Sequence, residues 1–371
     1  MKISGISVEH YRLPLDPPFE AAWDPKPRKE FLTTLVRVET DQGLTGIGAG
    51  DLMLGLAGHE ELFLGRDPLD LERHSQVLDN LDFHYGRCWP LDLALWDLAG
   101  QAAGLPVYRL LGGRTDRLLA YASSGELVAP EIRAERALAV LEKGFKALKI
   151  RFHHPDPAED IAVVEEVRRA VGERLTIMVD ANQGWRMPWD AAPAWDFKRA
   201  LKVAQALAEL EVYWLEEPLP AWDFEGLARL RQAVPIRIAG GEMNRRWHDF
   251  REMAERGSLD VFQPDVTLCG GITLVKKIAE LVQARGAWFS PHTWGNGIGL
   301  IANLHLAAAV GSCPFLELPH DPPGWTEERR DFVLAPECRP VIDREGYLVI
   351  PDRPGLGVIL DKKALETYRV G

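Results

Sequence analysis

Single polar residues recur at the ends of short apolar runs between residues 149 and 317. Each run has the length of a β-strand, and the polar positions are Lys149, Arg151, Asp180, Glu216, Glu242, Asp265, His292 and Glu317. From Arg151 onward, consecutive positions stand 23 to 36 residues apart. A βαβ unit takes ~30 residues or more, and in a (β/α)8 barrel the carboxyl ends of the strands converge on one mouth. The spacing therefore predicts a TIM-type barrel with these side chains at its catalytic end.

Three of these positions carry carboxylates in phase with successive units. A charged residue after one strand is commonplace in α/β proteins, but Asp180, Glu216 and Glu242 follow three strands in a row. Carboxylates that meet at a dry barrel mouth repel one another unless a cation lies between them. Oxygen ligands with no cysteine nearby favour Mg²⁺ over zinc. The sequence therefore predicts a magnesium site at the mouth.

The pattern differs before and after the barrel. The chain has 371 residues, more than the ~250 that a barrel alone requires. Residues 1–50 alternate as antiparallel strands, helices follow, and short strand-like pieces return after about residue 340. We therefore expect an α/β protein with an α+β capping domain over 1–117, a barrel over 118–340, and a return to the capping domain over 341–371. Stretches at about 17–31 and 51–65 are expected to form lid loops over the mouth.

Charge and cysteine usage narrow the class of partner. A net charge of −12 and a pI near 5.4 argue against binding of nucleic acid or of an anionic membrane surface. The first residues lack the apolar core of a secretory signal. The four cysteines show no paired spacing and suit reduced thiols. We expect a cytoplasmic protein that acts on small molecules.

Several motifs together resemble the enolase superfamily, specifically its mandelate racemase and muconate lactonizing enzyme branch. They extend over nearly the whole chain and include ALWDLAGQAAGLPVYRLLGG, KIR, VDANQ, WLEEP, GGE, QPD, SPHTWGNGIG and PDRPGLGV. The resemblance implies that Asp180, Glu216 and Glu242 hold Mg²⁺ and that Asn182 contacts the substrate. It also implies a homo-oligomer and a small-molecule carboxylate as substrate.

The resemblance also implies a chemistry. Members of this family remove the proton next to a carboxylate, and the resulting enediolate needs a divalent cation and strong donors at neutral pH. His292 would be the base, with Asp265 accepting its ring N–H and so fixing its tautomer. This pair places the chain nearer the mandelate racemase subgroup. Glu317 would lie near the substrate carboxylate, either as a protonated donor or as the partner of Lys149, and the sequence leaves both roles open.

Arg151 departs from the family pattern, because many relatives carry a second lysine at this position. A guanidinium is a poor base, so Arg151 is expected to hold the substrate carboxylate or to neutralise the enediolate, and Lys149 could do either. Strand alternation puts both on one side with His153. Racemisation needs a base on each face of the α-carbon. We therefore favour dehydration of a sugar acid to a 2-keto-3-deoxy acid, with His292 taking the α-proton and protonating the leaving hydroxyl.

Two other functions stay open. The first is an isomerase, either an epimerase or racemase that uses Lys149 or His153 as its second base, or a cycloisomerase. The second is a Mg²⁺-binding relative without catalysis, which only Arg151 favours. Substrate contacts are expected from Trp23 in the first lid, from Trp294 in a barrel loop, and from His153.

Overall fold

A computed structural model describes residues 1–51, Met53 and 55–370 of the chain. Two residues of the predicted 51–65 loop, Leu52 and Leu54, lie outside the described residues, as does Gly371.

The secondary structure begins with strands, passes to helices, and then alternates. The strands are β1 (Ile3–Phe19), β2 (Arg28–Thr40), β3 (Thr45–Gly50), β4 (Arg117–Ser123), β5 (Ala147–Arg151), β6 (Thr176–Asp180), β7 (Trp214–Glu216), β8 (Arg237–Gly240), β9 (Val261–Phe262), β10 (Trp288–Phe289), β11 (Leu316–Pro319), β12 (Tyr347–Val349) and β13 (Arg369–Val370). The helices are α1 (Leu71–Tyr85), α2 (Pro90–Ala103), α3 (Val107–Leu110), α4 (Pro130–Lys143), α5 (Pro157–Val171), α6 (Phe197–Glu209), α7 (Phe224–Ala233), α8 (Arg246–Arg256), α9 (Gly271–Ala284), α10 (Gly297–Ala309), α11 (Glu327–Arg330) and α12 (Lys362–Tyr368). Among the described residues, no helix is both long enough and apolar enough to cross a lipid bilayer.

The capping unit is an antiparallel sheet with helix α2 packed on it and helix α1 packed against α2. Its strand order is β13-β1-β2-β3, so the last strand of the chain joins the first. β1 and β2 stay paired as far as Phe19 and Arg28, beyond a register shift that follows Pro14. The predicted 17–31 loop is therefore strand at both ends, and only residues 20–27 connect the two strands.

Small residues let α2 lie close to β3. A Cβ atom on Gly48 would fall 2.0 Å from the carbonyl oxygen of Pro90, and one on Gly46 would fall 2.1 Å from that of Ala94. No side chain fits in so little space, because real Cβ atoms do not approach backbone atoms so closely. Glycines at these positions thus set the distance between sheet and helix.

The barrel is a curled sheet of eight parallel strands, β4 to β11, alternating with helices. Neighbouring strands pair in the order β10-β9-β8-β7-β6-β5-β4-β11, so β11 returns to β4. Between β10 and β11 the described residues form no ladder, but the Phe289 N–H donates to the Ser312 carbonyl (3.2 Å) and the Ser290 hydroxyl to that of Phe315 (2.6 Å). This seam is where the ring closes.

Strand alternation divides the barrel interior into an apolar layer and a polar layer. The buried apolar cluster is made of Tyr121, Ala147, Met178, Trp214, Ala239 and Val261. Two residues further along the same strands stand polar side chains such as Lys149, Asp180 and Glu216. Side chains two residues apart on a strand point to the same face. The buried apolar cluster therefore lies directly beneath the charged side chains at the barrel mouth.

The C-terminal segment contacts both units. β12 pairs antiparallel with β4 of the barrel, and β13 pairs with β1 of the capping sheet. Between them, Gly355 exchanges backbone hydrogen bonds with Leu105 (3.0 Å) and Val107 (2.9 Å), next to α3. The segment therefore fastens the capping unit to the barrel from a second direction.

Candidate active site

The carboxyl ends of three adjacent strands bring Asp180, Glu216 and Glu242 together. One carboxylate oxygen of each lies within 4.8 Å of the others, and all three residues are buried. Among the described residues, the Oε2 atoms of Glu216 and Glu242 have no hydrogen-bond partner. Buried polar atoms are nearly always paired, and clustered carboxylate oxygens are the ligands that Mg²⁺ prefers. The donor set fits a divalent cation.

The charges of this cluster act on one another. Burial, reinforced by the nearby charge of Asp180, raises the pKa of Glu216 above its ordinary value. Burial likewise raises the pKa of Glu242. Carboxylates are harder to ionise where water is excluded and other negative charges are close. A bound cation would remove that cost.

Lys149 is fully buried below the cluster. Its Nζ lies 2.7 Å from Glu216 Oε1, 2.9 Å from Glu317 Oε1 and 3.4 Å from Asp180 Oδ2. Burial alone would lower the pKa of Lys149, but the charges of Glu216 and Glu317 raise it above its ordinary value. For Glu317 burial works in the opposite direction, and the Lys149 ammonium holds the pKa of this carboxyl well below its usual range. Of the two roles left open for Glu317, the geometry favours the ionised partner of Lys149.

Arg151 is a fixed cation on the wall of the mouth. Its guanidinium is ion-paired with Asp180 and donates to Asn182 Oδ1 at 3.1 Å. The rings of Trp23 and Trp294 lie over it, with centroids 4.6 and 5.1 Å from Cζ. Such cation–π contacts stabilise a desolvated guanidinium. Trp23 comes from the capping unit, so Arg151 is held by both units.

His292 follows β10 and is oriented by Asp265, which follows β9. The His292 Nδ1 lies 2.9 Å from Asp265 Oδ2, while Asp265 Oδ1 accepts from the Thr267 N–H (2.7 Å) and from Asn303 Nδ2 (2.9 Å). An ionised carboxylate only accepts, so Nδ1 carries a proton, and Nε2, 3.6 Å from Glu242 Oε2, is the ring nitrogen at which a second proton is gained or lost. Burial would lower the pKa of His292, but nearby carboxylates, Glu242 foremost, raise it above its ordinary value.

A cavity of about 240 Å³ lies over these groups, between the two units. Arg151, Asn182, Glu242 and His292 form its inner end, and its outer walls include Trp23 and Trp294. The expected substrate contacts Trp23, Trp294 and Asn182 thus line one cavity.

His153 does not line that cavity. Its Nε2 lies 3.6 Å from Oδ2 of Asp190, which does not line the cavity either. β5 ends at Arg151, and strand alternation no longer directs side chains beyond that residue.

Sequence reasoning missed several residues of the cavity wall. Arg28, Met243 and Trp325 line it beside the residues already named. Arg28 lay within the predicted 17–31 stretch, and Trp325 follows β11, where the strand spacing already marks the mouth. Met243 follows Glu242 directly, but an apolar residue there carries no signal of function.

Two family models match this chain. The N-terminal domain of mandelate racemase / muconate lactonizing enzyme matches residues 5–112, and the enolase C-terminal domain-like model matches residues 132–364.

Individual relatives align over most of their length. The D-galactarolactone cycloisomerase of Agrobacterium fabrum is 29% identical, with 100% of this chain and 99% of the relative covered. The arabinonate dehydratase of Saccharolobus solfataricus is 33% identical over 75% of this chain and 71% of the relative. The crystal structure of L-talarate dehydratase from Polaromonas sp. JS666, complexed with Mg and L-glucarate, superposes with a TM-score of 0.83 at 28% identity, covering 100% and 98% of the two chains.

Proposed function

This chain belongs to the mandelate racemase / muconate lactonizing enzyme family of the enolase superfamily, and from that premise we propose that it dehydrates a sugar acid to a 2-keto-3-deoxy acid. Its sugar-acid relatives include a cycloisomerase and dehydratases, and the L-talarate dehydratase among them was crystallised with Mg and L-glucarate. The proposal of dehydration rests on which side chains of this mouth are able to exchange a proton.

Asp180, Glu216 and Glu242 would hold the Mg²⁺ ion. When bound, the ion supplies the positive charge that lets a carboxylate substrate carry a second negative charge after loss of its α-proton. Lys149 and Arg151 contribute two further buried cations beside the same carboxylates, and preorganised charge of this kind lowers the cost of forming an enediolate.

His292 would carry out both proton transfers. Its Nε2 accepts the α-proton while the C–H electron pair moves into the new carbon–carbon double bond of the enediolate. The carboxylate is then restored, and its electron pair forms a double bond between the α- and β-carbons as the β carbon–oxygen bond breaks. The imidazolium gives its proton to the leaving hydroxyl, which departs as water. The resulting enol rearranges to the 2-keto acid. Asp265 keeps the ring oriented throughout.

The observation that carries the proposal is that, of the residues the structure describes, none of the three candidates for a second base, Lys149, Arg151 and His153, presents a usable base to the cavity. Lys149 is enclosed by carboxylates and does not line the cavity. Arg151 does line it, but a guanidinium does not deprotonate at physiological pH. His153 points to Asp190. Elimination on one face needs one acid–base group, whereas racemisation needs two.

The test is a reaction with Mg²⁺ and a panel of sugar acids in D₂O, followed by proton NMR and a 2-keto-acid assay. The wild type should form a 2-keto-3-deoxy product. His292→Asn should lower the rate by about 10²-fold or more, the contribution expected of a positioned acid–base group. Deuterium that enters at C2 without elimination, or an epimer as the product, would refute the dehydratase and favour the isomerase.

A cycloisomerase is the second candidate, favoured by the end-to-end match to a D-galactarolactone cycloisomerase. The same base would serve if the leaving oxygen belonged to a ring, because the oxygen then stays attached in the product. Mass spectrometry separates the two: dehydration changes the mass of the substrate by one water, and ring opening leaves the mass unchanged.

A further inference from the structure

We propose that this site takes acids with a single carboxylate and rejects the matching dicarboxylates. The proposal rests on the proposed function, because it assumes that one carboxylate of the substrate binds at the inner end of the cavity. It concerns the outer end, where the rest of the substrate must lie.

The cation that the capping unit contributes to the cavity wall is already neutralised. Arg28 lines the cavity, and its Nε lies 3.1 Å from Oδ2 of the buried Asp24. Asp24 is held in place because its Oδ1 accepts from the Lys26 N–H (3.0 Å) and from Trp189 Nε1 (2.8 Å). An anion arriving at Arg28 therefore meets an ion pair and not a free positive charge.

Glu30 also lines the cavity, and its carboxylate is paired at 3.2 Å with Arg12, which does not line the cavity. Among the described residues that the capping unit contributes to this wall, the charged groups Arg28 and Glu30 are thus already ion-paired, and neither offers a free positive charge to a second carboxylate of the substrate. Hydroxyl groups donate readily to carboxylates, so a neutral polyhydroxy end suits this wall.

The remaining outer wall is apolar. Six of its side chains are Leu15, Trp23, Phe31, Met243, Trp294 and Trp325. A carboxylate moved from water to such surfaces without a partner loses its hydration with nothing in return. The C–H faces of a sugar chain lose little by the same contact, and the aromatic rings add favourable surface. Charge and polarity thus select against a second carboxylate.

The experiment measures binding to the Mg²⁺-loaded His292→Asn enzyme, which holds substrates without converting them. Matched pairs are titrated by calorimetry: D-gluconate against D-glucarate, D-galactonate against D-galactarate, and D-xylonate against xylarate. Each pair differs only in the terminal carbon. The monoacid should bind about a hundredfold or more tightly than its diacid, since an unpaired buried charge costs several kcal/mol and each 1.4 kcal/mol is tenfold.

A second variant assigns the effect to the Arg28 ion pair. Asp24→Asn, added to His292→Asn, keeps the Oδ1 acceptor and removes the negative charge that is paired with Arg28. The ratio of monoacid to diacid affinity should therefore fall by about tenfold. Glu135→Gln, an exposed position on α4, removes the same charge elsewhere and should leave the preference unchanged.

Diacids that bind as tightly as monoacids, or more tightly, overturn the proposal, and the elimination of the proposed function would still be seen with those diacids. If neither the monoacids nor the diacids bind, the proposal is also overturned, and so is the premise that a sugar-acid carboxylate occupies the inner end of the cavity. An unchanged preference in Asp24→Asn overturns the role given to Arg28.

Discussion

His305 lies in the middle of α10 with both ring nitrogens engaged. Its Nδ1 accepts the Tyr108 N–H at 3.1 Å, and its Nε2 lies 3.2 Å from the Leu356 carbonyl. Burial lowers the pKa of His305 to about 4. A proton on Nδ1 would face the Tyr108 N–H, which is itself a donor. The folded protein therefore resists protonation of His305, whereas the unfolded chain accepts this proton near pH 6.5.

The sign of the resulting pH dependence follows. Between about pH 6.5 and 4 the unfolded chain binds the extra proton, so the free energy of unfolding falls as the pH falls, by about 2 kcal/mol at pH 5 from this group. Urea unfolding at pH 7 and pH 5 should show a smaller loss in His305→Gln than in the wild type. The exposed His248, changed to Gln, serves as control and should retain the wild-type loss. Equal losses in all three proteins would contradict the assignment.

At the residue scale, the position of each residue relative to its strand end was enough to predict which side chains meet at the barrel mouth. Asp180, Glu216, Glu242 and His292 each stand at or just after the end of a parallel strand, and parallel strands carry their ends to one edge. Trp325 could not be assigned in the same way. Its place in the wall depends on the short turn after β11, in which Trp325 and Asp321 exchange backbone hydrogen bonds, and turns lack a period that a sequence could reveal.

At the scale of elements, the contact between β3 and α2 sets the stability of the capping unit. Gly48→Ala would drive a methyl group into the Pro90 carbonyl, so the helix must shift and the free energy of unfolding should fall by about 3 kcal/mol. Thermal unfolding followed by circular dichroism measures this. Gly295→Ala is the matched control, since a Cβ there meets no atom within 4 Å. A Gly48→Ala midpoint equal to that of the control would disprove the close contact.

The elements show where pattern reading loses precision. Alternation predicted β5 and the inward side chains of Lys149 and Arg151, but it was extended to His153, two residues past the point where the hydrogen-bonded strand ends. Proline and charge predicted a loop over 17–31, whereas pairing with β2 keeps Phe19 in a strand. In both places backbone hydrogen bonds to a neighbouring strand decide the boundary, and a single sequence does not display them.

For the whole molecule, the buried carboxylates should make stability depend on Mg²⁺. Bound ligand stabilises by about 2.7 kcal/mol when its free concentration is about 100 times its dissociation constant. Scanning calorimetry should therefore give a higher unfolding temperature in Mg²⁺ than in a chelator. Glu242→Gln should remove that rise while raising the unfolding temperature in the chelator, because the protein no longer has to bury an ionised carboxylate there. Glu135→Gln should retain the wild-type response, and a Mg²⁺ response retained in Glu242→Gln would exclude this metal site.

The overall architecture was the most predictable level. The order of antiparallel strands, then helices, then repeated βα units allows few arrangements, because parallel strands need crossover helices and each helix must cover the sheet. The position of the cavity between the two units followed from that order. The pairing of Arg28 with Asp24 did not, since it depends on the turn that joins β1 to β2.

The pairing of β13 with β1 has a consequence for protein engineering. The capping sheet draws strands from both sides of the barrel in the chain, so it cannot be exchanged for that of a relative as one continuous cassette. A chimera needs two junctions, one before β4 and one before β13, and both donor segments must come from the same parent for their edges to match. In libraries that recombine only the first hundred or so residues, β1 would come from the donor protein and would pair with the β13 of the recipient.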